Sequence, residues 1–166
     1  FTAADYDLWP AFSKGILLVL MFMGGCGGST TGGIKQIRIL MCLKYAYREL
    51  YRLIHPRAVV PLRLGGRVVP EGTASGVMGF CIFYLALFVI GALTLTAFGL
   101  DMESSVGAAA AALGNVGPGA GMVGPTDNYG FLPSPAKLFL SLLMLLGRLE
   151  IFTVLVLLTR EFHRAG

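Results

Sequence analysis

The sequence predicts an all-α integral membrane protein with one broken transmembrane helix and one re-entrant pore loop. Hydrophobic residues make up 55% of the 166-residue chain and charged residues 13%, with a mean hydropathy of +0.75; soluble domains of this size rarely reach that balance. Val77 to Phe98 carries no charge, and its 22 residues span about 33 Å as a helix, enough to cross a bilayer core. Leu138 to Leu158 is a second apolar run, interrupted only by Arg148 and Glu150. Glycine-rich stretches then break the pattern where a helix would otherwise continue, at Gly24 to Gly33 and at Gly114 to Gly121.

Residues 1–9 read as an external segment with Asp5 and Asp7, and Pro10 suits a first helical turn, where its missing N–H costs nothing. Ala11 to Met23 gives about 20 Å of helix, too short to cross. The chain is therefore at membrane depth when it meets GGCGGSTTGGIK, Gly24 to Lys35. A phosphate-binding loop does not fit: Ile34 stands where the Walker lysine must be, Lys35 is followed by Gln36, and no strand precedes the glycines. Ile34 to Leu43 can complete the crossing, which makes the whole a broken transmembrane helix.

Lys44, Arg48 and Arg52 recur at i, i+4 and i+8 in an amphipathic extension that Pro56 ends, either a solvated face or a docking surface at the inner membrane. Residues 56–71 form a connector in which Leu62 to Val69 reads as a hairpin around Gly65-Gly66. A helix over 72–100 follows, then Asp101 as N-cap of a short pore helix within 101–114, a filter strand at 115–119, a last helix over 134–160 and a tail at 161–166. Because the pore helix is too short to cross, this piece must dip in and return on one side. Such backbone is tolerated only where protein buries it or water lines it.

Eight Lys and Arg residues fall between Lys35 and Arg67, whereas Asp101 to Pro133 has none. By the positive-inside rule the first stretch is cytoplasmic and the second external; Arg160 and Arg164 then keep the C-terminus inside. The membrane flank explains the basic run without a nucleic-acid partner. Cys26, Cys42 and Cys81 have no ligand spacing and read as reduced packing residues.

Asn115-Val116-Gly117-Pro118-Gly119 fits the potassium-channel filter pattern TVGYG at the valine, the first glycine and the last glycine. Consecutive carbonyls aimed at one axis need backbone angles that glycine supplies. The carbonyls of Asn115, Val116 and Gly117 are the expected K⁺ ligands, with Pro118 completing the turn; the competing reading is an ordinary Gly-Pro turn. Arg148 lies fourteen residues after Ser134, as Gly24 lies fourteen after Pro10. Both segments run inward, so the arginine and the glycine loop should share a level about 21 Å below the external surface. An arginine there needs a polar partner or water. The loop offers carbonyls across Gly24, Gly25, Cys26, Gly27, Gly28, Gly32 and Gly33, and hydroxyls at Ser29, Thr30 and Thr31. It can serve as a flexible plug held by Arg148. Pairing of Arg148 with Glu150 is the alternative, and residues two apart on a helix do not face each other.

ADYDLWP at Ala4 to Pro10, the glycine loop, LIHPRAVVPLRLGGRVV at Leu53 to Val69, GNVGPG at Gly114 to Gly119 and GRLEIFTVLVLLT at Gly147 to Thr159 together resemble the Trk/Ktr/HKT superfamily of potassium transporters. The resemblance is strongest to its bacterial TrkH-type membrane subunit. It implies four membrane-pore-membrane repeats of a potassium-channel-like fold around one ion path. Residues 1–55 would then be the second helix of unit three with its gating loop at 24–33, and 72–160 would be unit four. Lys35 falls on the loop's terminal lysine, and an arginine at the position of Arg148 is taken to help close the pore. A homodimer in the bacterial inner membrane is implied, with a cytoplasmic TrkA-type ring that binds the nucleotide; this chain itself would hold no cofactor. With no initiator Met or signal peptide, Phe1 is expected to follow a cut in a longer protein, and since one filter strand cannot build a fourfold path this piece alone is not expected to conduct. Pro118, where potassium channels have tyrosine, fits weaker K⁺/Na⁺ discrimination. A membrane enzyme finds no support, because no nucleophile-base set appears and His55 and His163 both lie at the cytoplasmic boundary. A non-conducting scaffold of closely packed small residues remains the competing class.

Overall fold

The structure is a computed structural model that describes residues 5–26, 29, 31–58 and 60–149. Its helices are α1 (Ala11–Met23), α2 (Gln36–Ile54), α3 (Glu71–Ala97), α4 (Met102–Gly114) and α5 (Ser134–Arg148). Single 3₁₀ turns occur at Tyr6–Leu8, Gly121–Val123 and Tyr129–Phe131. Among the described residues α3 is the one helix long and apolar enough to cross a membrane. The segment expected to continue the last helix, 150–160, lies outside the described residues, as do Gly27, Gly28, Thr30 and Glu150.

The core gathers around α4, which is buried from Ser104 to Gly114 apart from the half-buried Val106. Five consecutive alanines, Ala108 to Ala112, let α3 and α5 approach its backbone closely; Gly91 of α3 faces both the Ala109 methyl and Leu143 of α5. Tyr84, Leu95, Leu113, Val123 and Leu143 fill the remaining space. Apolar side chains on α1 (Phe12, Val19) and α3 (Ile82, Leu93) face outward, the reverse of a soluble bundle.

Residues 63–68 form the small hairpin, with β1 (Arg63–Leu64) pairing antiparallel to β2 (Arg67–Val68). Gly65 (φ 55°) and Gly66 (φ 80°) make a turn whose positive angles suit glycine. The basic row of α2 is not a free solvated face, because the connector and the start of α3 fold onto it. The Arg48 side chain is 3% exposed and donates from Nη1 and Nη2 to the two carboxylate oxygens of Glu71 at 2.6 and 3.0 Å, and to Glu49 at 3.1 Å. Lys44 Nζ donates to the Arg63 carbonyl at 2.9 Å. Cys42 on α2 and Cys81 on α3 are free thiols with sulfurs 3.2 Å apart.

Candidate functional site

Between α1 and α2 the chain leaves the helix at Gly24 (φ 60°) and rejoins it after Lys35, a non-glycine residue at φ 68°. The neck of this excursion is stitched by backbone bonds: Ile34 N–H donates to the Phe22 carbonyl at 3.1 Å and Gln36 N–H to Gly25 at 3.2 Å. Gly24 and Gly33 meet backbone to backbone, so a side-chain carbon on Gly33 would stand 2.8 Å from Gly24 Cα. Inside the loop, Thr31 Oγ1 donates to Ser29 Oγ at 2.8 Å, and Ser29 N–H donates to the Cys26 carbonyl at 3.1 Å.

Asp101 starts α4 by accepting from Ser104 N–H at 3.2 Å, and bonds from the Ser104 side chain and backbone hold its carboxyl below the usual value. The helix ends on Asn115 in the left-handed region (φ 53°), a conformation asparagine tolerates. The Asn115 amide donates to the Met144 carbonyl at 3.0 Å, tying the base of the 115–119 strand to α5 one turn before Arg148.

Gly117 follows at φ 106°. Its carbonyl accepts the Tyr129 hydroxyl at 2.9 Å, and the Gly119 carbonyl accepts the Tyr6 hydroxyl at 2.6 Å. Gly119 N–H donates to the Val123 carbonyl at 2.8 Å, Met122 N–H to Ser104 Oγ at 2.8 Å, and Gly121 N–H to the Asp7 carboxylate at 3.1 Å. Burial pushes the Tyr129 hydroxyl up to about 12, with a smaller effect from Tyr6. Tyr6 is raised too, first by burial and then by the charges of Asp7 and Asp5. Both hydroxyls therefore stay protonated, and remain donors, across the physiological range.

The loop and the strand meet at Gly32. A side-chain carbon there would lie 2.7 Å from the Gly114 carbonyl oxygen and 2.9 Å from the Asn115 amide nitrogen. On the other flank Ser29, Thr31, Gly33 and Lys35 share a cavity of about 330 Å³ with Gly147, Arg148, Arg38 and Phe80. Gly147 packs on the backbone of Leu113 at the end of α4, so the residue before Arg148 is held against that helix end. Arg38 stacks over the Phe80 ring, 4.1 Å from its centroid.

The predicted positions thus converge in part. Gly24, Gly25, Gly32, Gly33, Ser29, Thr31 and Lys35 form one loop beside Arg148, and of the 115–119 strand the loop meets Asn115 at its base; Cys26 is exposed. The sequence reading missed Tyr6, Asp7 and Tyr129, which hold the strand from outside. They lie in irregular segments where no periodicity marks a contact. Of the three carbonyls expected to bind K⁺, that of Gly117 already accepts one hydroxyl, which leaves one lone pair. Among the described residues no three or more His, Cys, Asp or Glu side chains cluster as metal ligands.

The family model described as TrkH, cation transport protein, matches residues 1–164. The potassium uptake protein TrkH of Halomonas elongata is 46% identical over 164 residues, covering 99% of this chain and 34% of that protein. Its namesake in Escherichia coli K12 is 44% identical with the same coverage. The crystal structure of the potassium transporter TrkH from Vibrio parahaemolyticus superposes with a TM-score of 0.86 at 45% identity, over 98% of this chain and 34% of that one. The chain spans about a third of the length of the relatives it matches.

Proposed function

The chain belongs to the TrkH cation transport protein family, and from that premise we propose that it forms about a third of a membrane subunit for potassium uptake. Residues 115–119 supply one of four filter strands in a membrane-pore-membrane architecture, and the broken helix α1–α2 places the loop at 24–33 as a gate below it. K⁺ passes the carbonyls of Asn115, Val116 and Gly117, while the loop and Arg148 obstruct the path in the closed state. The reading extends to a homodimer in the bacterial inner membrane with a cytoplasmic C-terminus. A TrkA-type cytoplasmic subunit supplies the nucleotide, and the chain performs transport rather than catalysis.

The observation that carries the reading is the convergence of three separate segments. Gly32 packs against the Gly114 backbone and the Asn115 side-chain amide, and the same loop shares a cavity with Arg148. The Ser29 and Thr31 hydroxyls in one cavity with an arginine suit a polar plug, since an unpartnered charge at membrane depth is costly. Rubidium tracer uptake into liposomes carrying the full-length parent tests it. Gly117→Ser should block or alter the flux and Arg148→Ala should raise it. Unchanged flux in both variants removes these residues from the ion path and favours the non-conducting scaffold.

A further inference from the structure

Two phenolic hydroxyls reach the filter strand from outside it, and nothing in the transport reading assigns them a role. Tyr129, in the 3₁₀ turn before α5, donates to the Gly117 carbonyl at 2.9 Å; Tyr6, before α1, donates to the Gly119 carbonyl at 2.6 Å. Neither tyrosine depends on a loose contact. Tyr129 packs against the main core, and Lys137 Nζ donates to the Gly130 carbonyl at 2.8 Å, holding its turn to α5. Asp7, next to Tyr6, accepts from Gly121 N–H at 3.1 Å and so fixes the Tyr6 segment to the return path of the strand.

The chemistry at these carbonyls is what ion discrimination depends on. Selectivity in a carbonyl-lined filter follows from how many carbonyls face the ion, how firmly they are held and how strong their dipole field is. A hydroxyl bonded to such a carbonyl does two things. It limits swinging of a peptide plane that glycine leaves free, here at Gly117 with φ 106°. It also draws electron density from one lone pair and weakens the field that the other lone pair presents, and a weaker field favours the larger K⁺ over Na⁺.

Resting on the filter reading above, we infer that Tyr129 is a positioning residue for ion selectivity: its hydroxyl sets the direction and field of the Gly117 carbonyl, while Tyr6 braces the end of the same strand at Gly119. Loss of the Tyr129 bond frees the carbonyl and strengthens its field, and both effects favour Na⁺.

The test is the K⁺/Na⁺ permeability ratio, from reversal potentials of the full-length parent in planar bilayers, for wild type, Tyr129→Phe, Tyr6→Phe and Gly117→Ser. A ratio cancels the amount of folded protein, so a merely structural role would not move it. Tyr129→Phe is expected to lower the ratio about two- to tenfold, the range of one hydrogen bond, with a smaller fall for Tyr6→Phe. An unchanged ratio in Tyr129→Phe while Gly117→Ser alters it overturns the proposal and leaves the filter in place. An unchanged ratio in Gly117→Ser removes the filter reading and the proposal with it. If Tyr129→Phe yields no membrane-inserted protein, Tyr6→Phe decides, and a wild-type ratio there overturns the clamp.

Discussion

Gly32→Ala inserts one carbon where the loop meets the base of the 115–119 strand. The new Cβ would stand 2.7 Å from the Gly114 carbonyl oxygen, against 3.4 Å for an ordinary contact, so loop and strand must separate by about 0.7 Å. The obstructing atom belongs to the backbone at the end of α4, a helix buried almost throughout, and cannot rotate away. Overpacking of this kind costs about 1–3 kcal/mol. If the loop abuts Gly114 only when the path is closed, that cost falls on the closed state alone. At 1.4 kcal/mol per tenfold, the closed-to-open ratio then falls by roughly 5- to 150-fold. Basal rubidium uptake of the full-length parent, in liposomes without its regulatory partner, should rise in that range while elution volume stays that of wild type. Wild-type uptake with wild-type thermal stability would refute the close approach. Lower uptake with a lower Tm would make Gly32 a packing residue present in both states.

Arg48→Lys keeps the charge but loses the two-pronged grip on Glu71, because an ammonium cannot present the guanidinium fork; it should lower the Tm at a cost of about 1–2 kcal/mol. Asp101→Ala removes the cap of α4 and should cost about 1 kcal/mol, with Asp101→Asn retaining most of it. The Asp101 carboxyl lies below its ordinary value of 3.8 when folded, so its charge-dependent contribution is complete above that pH and is lost as pH falls through the lower folded value. Melting curves at pH 6 and pH 3 should show a shallower acid loss for the Asn variant than for wild type. Cys42 and Cys81, with sulfurs 3.2 Å apart, should be the pair joined when air and copper phenanthroline remove two hydrogens from the thiols. Absence of a peptide linking α2 to α3 by mass spectrometry would contradict the packing of these helices.

Much of the helical layout was legible because strong local signals agree with it. Pro10 and Asp101 mark helix starts, the glycines at 24–33 deny the chain a helix, and Gly65-Gly66 admits one tight turn. The burial of Arg48 was hidden because its partner Glu71 stands 23 residues away, beyond the reach of helical spacing. The tyrosine clamp was hidden for the same reason: Tyr6 meets Gly119 across 113 residues. Counting helical rise from Pro10 and Ser134 anticipated that the loop and Arg148 lie near each other, and the two line one cavity, whereas the contact of Gly32 with Gly114 depends on packing that spacing alone does not encode.

The joint action of loop and arginine is tested most directly by rubidium uptake in four versions of the full-length parent. These are wild type, Arg148→Ala, the loop at 24–33 replaced by a leucine-rich helix, and both changes together, each checked for wild-type assembly by elution volume. If the arginine acts by holding the loop, Arg148→Ala raises flux with the native loop and changes nothing once the loop is gone. The same fold increase with and without the loop would show that the two act independently, and the gate proposed here would not exist.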